Sequence, residues 1–210
     1  MLNYDIIIIG AGPSGIFCAY ELLEHKKDLK VLMIEKGRRI ENRQCPKRKT
    51  KVCVGCQPCS ITTGFAGAGA FSDGKYNITN DFGGTLYEYI GKKTAIELME
   101  YVDGINLRFG GEGTKLYSTA GTKFKKTCMQ HGLHLLDASV RHLGTDINYI
   151  VLEHLYDHLK NKVDFYFDCA IETVEKTEKG YKVYSDDTTF EGTKCIISAG
   201  RSGSKWMQKV

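Results

Sequence analysis

Residues 4–35 read YDIIIIGAGPSGIFCAYELLEHKKDLKVLMIE. Four consecutive isoleucines, Ile6–Ile9, have the β-branched composition of a short strand that is buried on both faces. They lead directly into Gly10, Gly12 and Gly15, which have G-x-G-x-x-G spacing, and an apolar helical pattern begins at once. The stretch therefore predicts a strand, a tight turn and a helix in immediate succession.

The three glycines have the spacing that a bound dinucleotide requires. The first permits the tight turn, the second lets the backbone approach a pyrophosphate, and the third lets the helix pack close to the strand. The helix N-terminus, at Pro13 and Ser14, offers free N–H groups and a positive dipole end to the phosphates. A second apolar strand, Val31–Ile34, ends on Glu35, whose carboxylate can accept hydrogen bonds from ribose hydroxyls. An ordinary glycine-rich turn would not explain Glu35, so the pattern predicts dinucleotide binding.

Composition limits the class of protein. The chain has 210 residues, of which 42% are hydrophobic, enough for one large domain or a domain with an insertion. A net charge of +4 is too small to indicate a nucleic-acid partner by itself, and no apolar run approaches the roughly 20 residues of a membrane span. The N-terminal residues predict a strand and not a signal peptide. We therefore expect a cytoplasmic protein that acts on a small molecule, away from membranes and nucleic acids.

The stretch from residue 36 to residue 51 is strongly basic. It carries eight Lys or Arg residues, beginning with Lys36, against the single acidic residue Glu41. A solvated basic loop is one interpretation. The other is a loop that faces the phosphates of a bound nucleotide, because it follows the strand that ends on Glu35. Few aromatic residues accompany the charges, so nucleic-acid contact has little support.

Four cysteines follow with spacing that suits a metal centre. Cys45 precedes Pro46, and Cys53, Cys56 and Cys59 are spaced C-x-x-C-x-x-C. Four thiolates in this arrangement could hold an iron–sulfur cluster or a zinc ion. The alternative is a set of thiols in a redox-active or simply cysteine-rich loop.

A glycine- and alanine-rich stretch, GFAGAGAFSDGKYN, occupies residues 64–77. Its small side chains leave room for a cofactor, and a flexible surface loop would be more polar and less aromatic. We therefore expect a cofactor-facing loop that includes Gly69 and Ala70.

The remaining pattern predicts further helices and strands. Helices are expected at Ser14–His25, at Thr94–Asp103 with Thr94 as N-cap, at Thr122–Gln130, and from Asp146 to Lys160 with Thr145 or Asp146 as N-cap. Strands are expected at Leu133–Val140, Val163–Phe167, Ala170–Lys176, Tyr181–Ser185, Thr188–Glu191 and Lys194–Ser198, the third to fifth of these forming a meander.

This order of parts resembles the glutathione-reductase-type FAD-binding fold, in which a meander is followed by a short strand that ends in small residues. More narrowly, the chain resembles the N-terminal portion of the uncharacterised FAD-dependent dehydrogenase family. The motifs that carry the resemblance are IIIIGAGPSG, the cysteine group, GFAGAGAFSDGKYN, RHLGTD and ISAGRSG.

The resemblance implies an oxidoreductase that holds FAD non-covalently, with NAD(P)H as a candidate electron donor. By the family's pattern, Gly10, Gly12, Pro13, Ser14 and Gly15 hold the pyrophosphate, and Glu35 holds the adenosine ribose. Lys36 is a further candidate cofactor contact. Ala170 would lie near the adenine, while Ala199, Gly200 and Arg201 would close over the cofactor. No general base with a partner is evident. His142 is a candidate catalytic residue, and its alternative is a loop residue that caps the next helix.

The expected fold class is α/β, with a Rossmann-like FAD-binding βαβ core, a central sheet, a three-stranded meander and an insertion. The expected FAD-binding domain is 1–40 with 141–210, and the Cys/Gly-rich insertion is 41–140. Members of this fold carry a late Gly-Asp motif, which this sequence lacks, so a fragment of a longer flavoprotein is expected. Besides an FAD-dependent oxidoreductase, two alternatives stay open: an RNA-modifying or RNA-binding flavoprotein, and a truncated, non-catalytic FAD-binding chain.

Overall fold

The fold was analysed in a computed structural model, which describes residues 3–210. Its strands are β1 Asn3–Ile9, β2 Val31–Ile34, β3 Lys75–Ile78, β4 Leu116–Ser118, β5 Ser139–His142, β6 Val163–Tyr166, β7 Ile171–Thr177, β8 Gly180–Ser185 and β9 Thr189–Ile197. Its α-helices are α1 Pro13–His25, α2 Lys47–Thr50, α3 Leu86–Ile90, α4 Lys92–Asn106, α5 Phe124–Gln130, α6 Gly144–Leu159 and α7 Ser204–Met207.

The chain divides into two compact units. The first extends to Ala70 and resumes at Leu155, and the second is Phe71–His154. These bounds differ from the expected 1–40 with 141–210, because residues 41–70 lie with the first unit and residues 141–154 lie with the second. Two hydrogen bonds show why residues 41–70 belong to the first unit: Ala66 N–H donates to Ala11 O over 2.7 Å, and Phe65 N–H donates to Arg38 O over 3.0 Å.

The first unit is built on a six-stranded sheet with the order β6-β2-β1-β9-β8-β7. β6, β2, β1 and β9 are parallel, and β8 and β7 continue the sheet antiparallel. β1 is central, with Ile7 opposite Leu32 on one side and Cys195 on the other. Burial of Ile6–Ile9 agrees with the sequence interpretation, and the mixed α/β class with its central sheet is confirmed.

β9 differs from the prediction. The sequence suggested two strands, Thr188–Glu191 and Lys194–Ser198, whereas the structure has one nine-residue strand. Its first part, residues 189–192, pairs with β8, and residues 191–197 pair with β1. Gly192, between the two predicted strands, lies inside this one strand, where a Cβ would be 2.8 Å from the Ile7 side chain, so the close packing favours glycine there. One strand therefore joins the meander to the parallel sheet.

Apolar side chains fill the first unit on both faces of the sheet. One cluster includes Tyr4, Ile7, Ile34 and Phe190. A set of aromatic rings packs around fully buried Phe65, whose ring centroid lies 5.1 Å from that of Tyr156; the other members are Phe165 and Phe167. α1 buries the face expected from its pattern: Ile16, Ala19, Tyr20 and Leu23.

The second unit contains an antiparallel sheet with the order β3-β5-β4 and the helices α3, α4 and α5. A buried ion pair supports it: Arg141 Nε lies 2.6 Å from Asp103 Oδ1, and Arg141 also donates to Thr114 O. Such a pair is stable only when its remaining hydrogen-bonding groups are satisfied.

Three predicted boundaries in and beside this unit were wrong. The expected strand Leu133–Val140 is a strand only from Ser139 onward. α4 begins at Lys92 after Gly91, so Thr94 lies in its first turn and is not the N-cap. α6 begins at Gly144, which places Thr145 and Asp146 inside its first turn. Helix ends depend on backbone geometry at residues such as Gly91, whose φ of 83° is hard to read from sequence. None of the helices among residues 3–210 is long and apolar enough to cross a membrane.

Candidate cofactor-binding site

A cavity of about 810 Å³ opens at the carboxyl ends of β1, β2 and β9. Its walls come from the glycine turn, the end of β2, the loop at residues 62–68, the start of β7 and residues 198–206. All of its lining residues belong to the first unit. The carboxyl edge of a parallel sheet is where ligands of open α/β folds bind, and the volume suits a small-molecule cofactor.

Each of the three glycines of the turn is explained by a different structural reason. Gly10 has φ of 105°, and a Cβ there would lie 2.5 Å from Ser198 O. A Cβ on Gly15 would overlap the carbonyl oxygen of Gly10, so the strand and α1 could not pack as closely. At Gly12 a Cβ would meet no described atom within 4 Å, and the residue lines the cavity. Protein packing therefore explains Gly10 and Gly15, whereas Gly12 keeps open a space for something bound.

The N-terminus of α1 lies at the cavity. Gly12 is the N-cap, Pro13 is the first helical residue, and no side chain of the described chain caps the helix. Pro13 has no N–H, and the Ile16 N–H donates to Gly12 O over 3.0 Å. Pro13 and Ser14 line the cavity. The N-terminal end of this 13-residue helix therefore borders the cavity, and the positive end of a helix favours an anion.

Glu35 lines the cavity and also holds its walls together. Its Oε2 accepts the Ala11 N–H over 2.9 Å, and its Oε1 accepts the N–H groups of Gly37 and Gly64 over 3.0 Å each. A carboxylate has about four acceptor positions, so Oε2 can still accept a hydroxyl. The predicted ribose contact stays a prediction. The sequence did not indicate the second role, in which one carboxylate joins three backbone segments.

The first part of the loop that was expected to face a cofactor, residues 64–77, borders the cavity. Gly64, Gly67 and Ala68 line the cavity, as do Thr62 and Thr63, which precede the predicted loop. The two residues singled out from the sequence lie outside that lining, since Ala70 is fully buried and Gly69 packs near the Pro13 ring.

Arg43 does not line the cavity but stabilises this loop through hydrogen bonds to its carbonyl groups, a role that the sequence did not reveal. Its side chain is only 4% exposed, and it donates to Ser60 O over 3.0 Å, Ile61 O over 2.8 Å and Gly67 O over 2.7 Å, and also to Phe65 O. Burial lowers the pKa of Arg43 to about 10, partly offset by Glu35 and Cys59. Because Arg43 is one of eight cations in a basic stretch, no periodicity separates it from the exposed ones.

The opposite wall follows β9. The Ser198 hydroxyl donates to Gly10 O over 2.8 Å and to Ile9 O over 3.1 Å, which fixes the end of β9 to the glycine turn. The predicted residues Lys36, Ala170, Ala199, Gly200 and Arg201 all line the cavity. So do three apolar residues that the sequence did not single out: Cys169, Ile171 and Trp206.

Comparison with known proteins identifies the family. Residues 4–130, more than half of the chain, match the pyridine nucleotide-disulphide oxidoreductase family. The chain belongs to this family. Comparison with curated protein sequences finds no match.

Several solved structures share this fold. Glycine oxidase from Geobacillus kaustophilus has a TM-score of 0.59 at 13% identity, over 99% of this chain and 58% of that protein. L-α-glycerophosphate oxidase from Mycoplasma pneumoniae, with FAD bound, has a TM-score of 0.55 at 16% identity, over 99% of this chain and 57% of that protein. NikD, an unusual amino acid oxidase, has a TM-score of 0.54 at 11% identity, over 100% of this chain and 54% of NikD. At these identities the likeness concerns the fold, and this member of the pyridine nucleotide-disulphide oxidoreductase family spans a little over half the length of each.

A metal site at Cys45, Cys53, Cys56 and Cys59 stays a prediction from sequence. Among residues 3–210, no three Cys, His, Asp or Glu side chains lie where they could share a metal ion. Cys45, Cys53, Cys56 and Cys59 are free thiols. Hydrogen bonds from the backbone of Ile61 and Thr62 and from the Thr62 hydroxyl, with a smaller contribution from Arg43, lower the pKa of Cys59.

His142 ends β5 in the second unit, and the cavity lining contains no residue of that unit. Its Nε2 lies 3.1 Å from Asp73 Oδ1. A hydrogen bond from Lys75, followed by one from His142, lowers the pKa of Asp73. The catalytic assignment of His142 stays a prediction from sequence.

Proposed function

We propose that the cavity binds FAD and that the chain is the cofactor-binding part of an FAD-dependent oxidoreductase. The observation that carries the proposal is Gly12. It is the one glycine of the motif whose lack of a side chain no described atom of the protein requires, and it stands at the N-terminus of α1. Close approach of a pyrophosphate is the reason that the motif has a glycine there.

The residues around the cavity fit the parts of FAD. The first-turn N–H groups of α1 would hold the pyrophosphate, and Glu35 would accept ribose hydroxyls through Oε2. Ala170, Ile171 and Cys169 offer an apolar surface for the adenine. Arg201 adds a positive charge at the same opening. When bound, the flavin supplies the hydride or electron chemistry, while the chain positions it and excludes water.

Two features support FAD over NAD as the resident cofactor. The meander β7-β8-β9 and the small residues after β9 are the parts that the sequence shares with the glutathione-reductase-type FAD-binding fold. The glycerophosphate oxidase that shares the fold has FAD bound. NAD(P)H as electron donor, a dehydrogenase reaction, an unidentified small-molecule substrate and a cytoplasmic location complete the proposal as predictions from sequence.

Cofactor identification tests the proposal directly. The purified chain is denatured and the released nucleotide is identified by chromatography and mass spectrometry. In parallel, FAD and NAD are added to nucleotide-free protein during thermal unfolding. We expect FAD in the supernatant, or a rise in Tm with FAD that exceeds the rise with NAD. A rise with NAD alone would refute FAD as the resident cofactor.

A further inference from the structure

The cysteine-rich part of the first unit is organised around a guanidinium group. Arg43 lies at the start of this segment, and its donors reach four carbonyl oxygens at the far end, those of Ser60, Ile61, Phe65 and Gly67. The segment between them contains Cys45, Cys53, Cys56 and Cys59. The Arg43 guanidinium thus links the two ends of the segment that contains the four cysteines.

The carbonyls that Arg43 holds belong to the same short stretch that forms the cavity wall. Gly64 N–H donates to Glu35 Oε1 over 3.0 Å, and Ala66 N–H donates to Ala11 O over 2.7 Å. Ala66 has φ of 66°, a left-handed conformation that a non-glycine residue adopts only when its surroundings fix it. The contacts of Phe65 and Gly67 with Arg43 lie on either side of Ala66 and fix it there.

Arginine is suited to this position in a way that lysine is not. Its planar guanidinium presents five N–H donors in fixed directions, whereas an ammonium group presents three donors around one atom. Without Arg43, four carbonyl oxygens in and around a buried loop would lose their partner. The left-handed turn at Ala66 would then relax, and with it the wall beside Glu35 and Gly12.

We propose that Arg43 is a positioning residue for the cofactor: it holds residues 60–67 in the conformation that completes the FAD cavity, without touching the cofactor itself. Arg43 is not among the residues that line the cavity, whereas Gly64 and Gly67 are. This inference rests on the proposed FAD binding. It predicts that cofactor affinity depends on a side chain located behind the wall of the site.

The test compares two variants of Arg43 with a matched control elsewhere in the chain. Arg43→Met removes every donor and keeps an unbranched side chain, and Arg43→Lys keeps the charge. Arg141→Met is the control, because Arg141 is equally buried and also donates to a backbone carbonyl, but its partners Asp103 and Thr114 do not line the cavity. Each protein is titrated with FAD by flavin fluorescence, and amide hydrogen exchange is measured on the same samples.

For Arg43→Met we expect FAD affinity to fall by about tenfold or more, the loss that one charge-assisted hydrogen bond would cause. Arg43→Lys should fall between this variant and the wild type, and Arg141→Met should stay within about twofold of the wild type. Hydrogen exchange separates positioning from general destabilisation. In both Arg43 variants the Gly64 and Ala66 amides should exchange faster, while the Ser198 amide, which donates to Ile9 O, should not.

The outcomes separate this inference from the proposed function. A wild-type protein that does not bind FAD refutes the proposed function, and exchange at Gly64 and Ala66 then still reports whether Arg43 holds the loop. A wild-type protein that binds FAD, together with Arg43 variants that bind it equally well, overturns the inference. If Arg43→Met does not fold, Arg43→Lys decides: wild-type affinity in that variant would overturn the inference as well.

Discussion

Substitution of Gly12 should lower FAD affinity with little effect on stability, whereas substitution of Gly15 should lower the stability of the fold. Gly12 has φ of −74° and ψ of 179°, which any residue can adopt, and a Cβ there would contact no described atom. Replacing Gly12 with Ala gains about 0.4–1 kcal/mol because the unfolded chain becomes less flexible. It loses a comparable amount, about 0.5–1 kcal/mol, because alanine is a poor N-cap. The free energy of unfolding should therefore change by less than about 1 kcal/mol.

At Gly15 the same change should damage the fold. A Cβ there would overlap Gly10 O, so α1 must move away from β1, and overpacking of this kind typically costs about 1–3 kcal/mol or more.

For Gly12→Val we expect a preserved fold and a large loss of FAD affinity. The valine side chain would occupy the pyrophosphate position and displace it from the N–H groups of Ser14 and Gly15. Two charge-assisted hydrogen bonds at about 1.5 kcal/mol each correspond to a loss of more than about a hundredfold in FAD affinity.

The assay combines urea unfolding of the FAD-free proteins with FAD titration by isothermal calorimetry. Gly12→Ala provides the stability comparison with Gly15→Ala, and Gly12→Val provides the binding comparison with the wild type. The reasoning is refuted if Gly12→Val binds FAD within tenfold of the wild type. It is equally refuted if Gly15→Ala unfolds at the same urea concentration as Gly12→Ala.

Three further predictions concern other residues. Glu35→Ala should weaken FAD binding by roughly 1–3 kcal/mol and lower the Tm, because it removes a ribose acceptor and the partner of three buried N–H groups; unchanged affinity in a titration would contradict the ribose contact. Under iodoacetamide at pH 8, mass spectrometry should find Cys59 alkylated before Cys195, because burial raises the pKa of Cys195 to about 11 while that of Cys59 is lowered; the reverse order would contradict the local geometry. Asn106→Leu should leave the free energy of unfolding unchanged or raise it by up to about 3 kcal/mol, because neither side-chain polar atom of this buried residue has a partner among residues 3–210; a fall of the urea midpoint would reveal a partner.

The parts of the fold that sequence predicted well are those with local causes. Ile6–Ile9, the three motif glycines and Glu35 lie within 30 residues of one another, and their residue types and spacing form a local pattern that can be read from the sequence alone. The same holds for the buried face of α1, which follows from helical spacing alone.

The parts that sequence missed depend on contacts between distant segments. In the sequence, Arg43 cannot be distinguished from the exposed Lys and Arg residues beside it. Its burial depends on hydrogen bonds to carbonyl groups of residues 60–67. Gly192 lies inside a continuous strand, at a position where the Ile7 side chain, far away in sequence, leaves no room for a Cβ.

The position of β9 has a consequence for synthesis of the chain. β1 is complete at Ile9, but its partner on one side, β9, ends only at Ile197. At roughly 5–20 residues per second, a ribosome needs on the order of 10–40 s to make the intervening chain. During that time the β9 side of β1 has no partner strand, and an unpaired strand edge can pair with another chain. The glycine turn is synthesised early, but the hydrogen bond from Ser198 to Gly10 O can form only after residue 198 has been made.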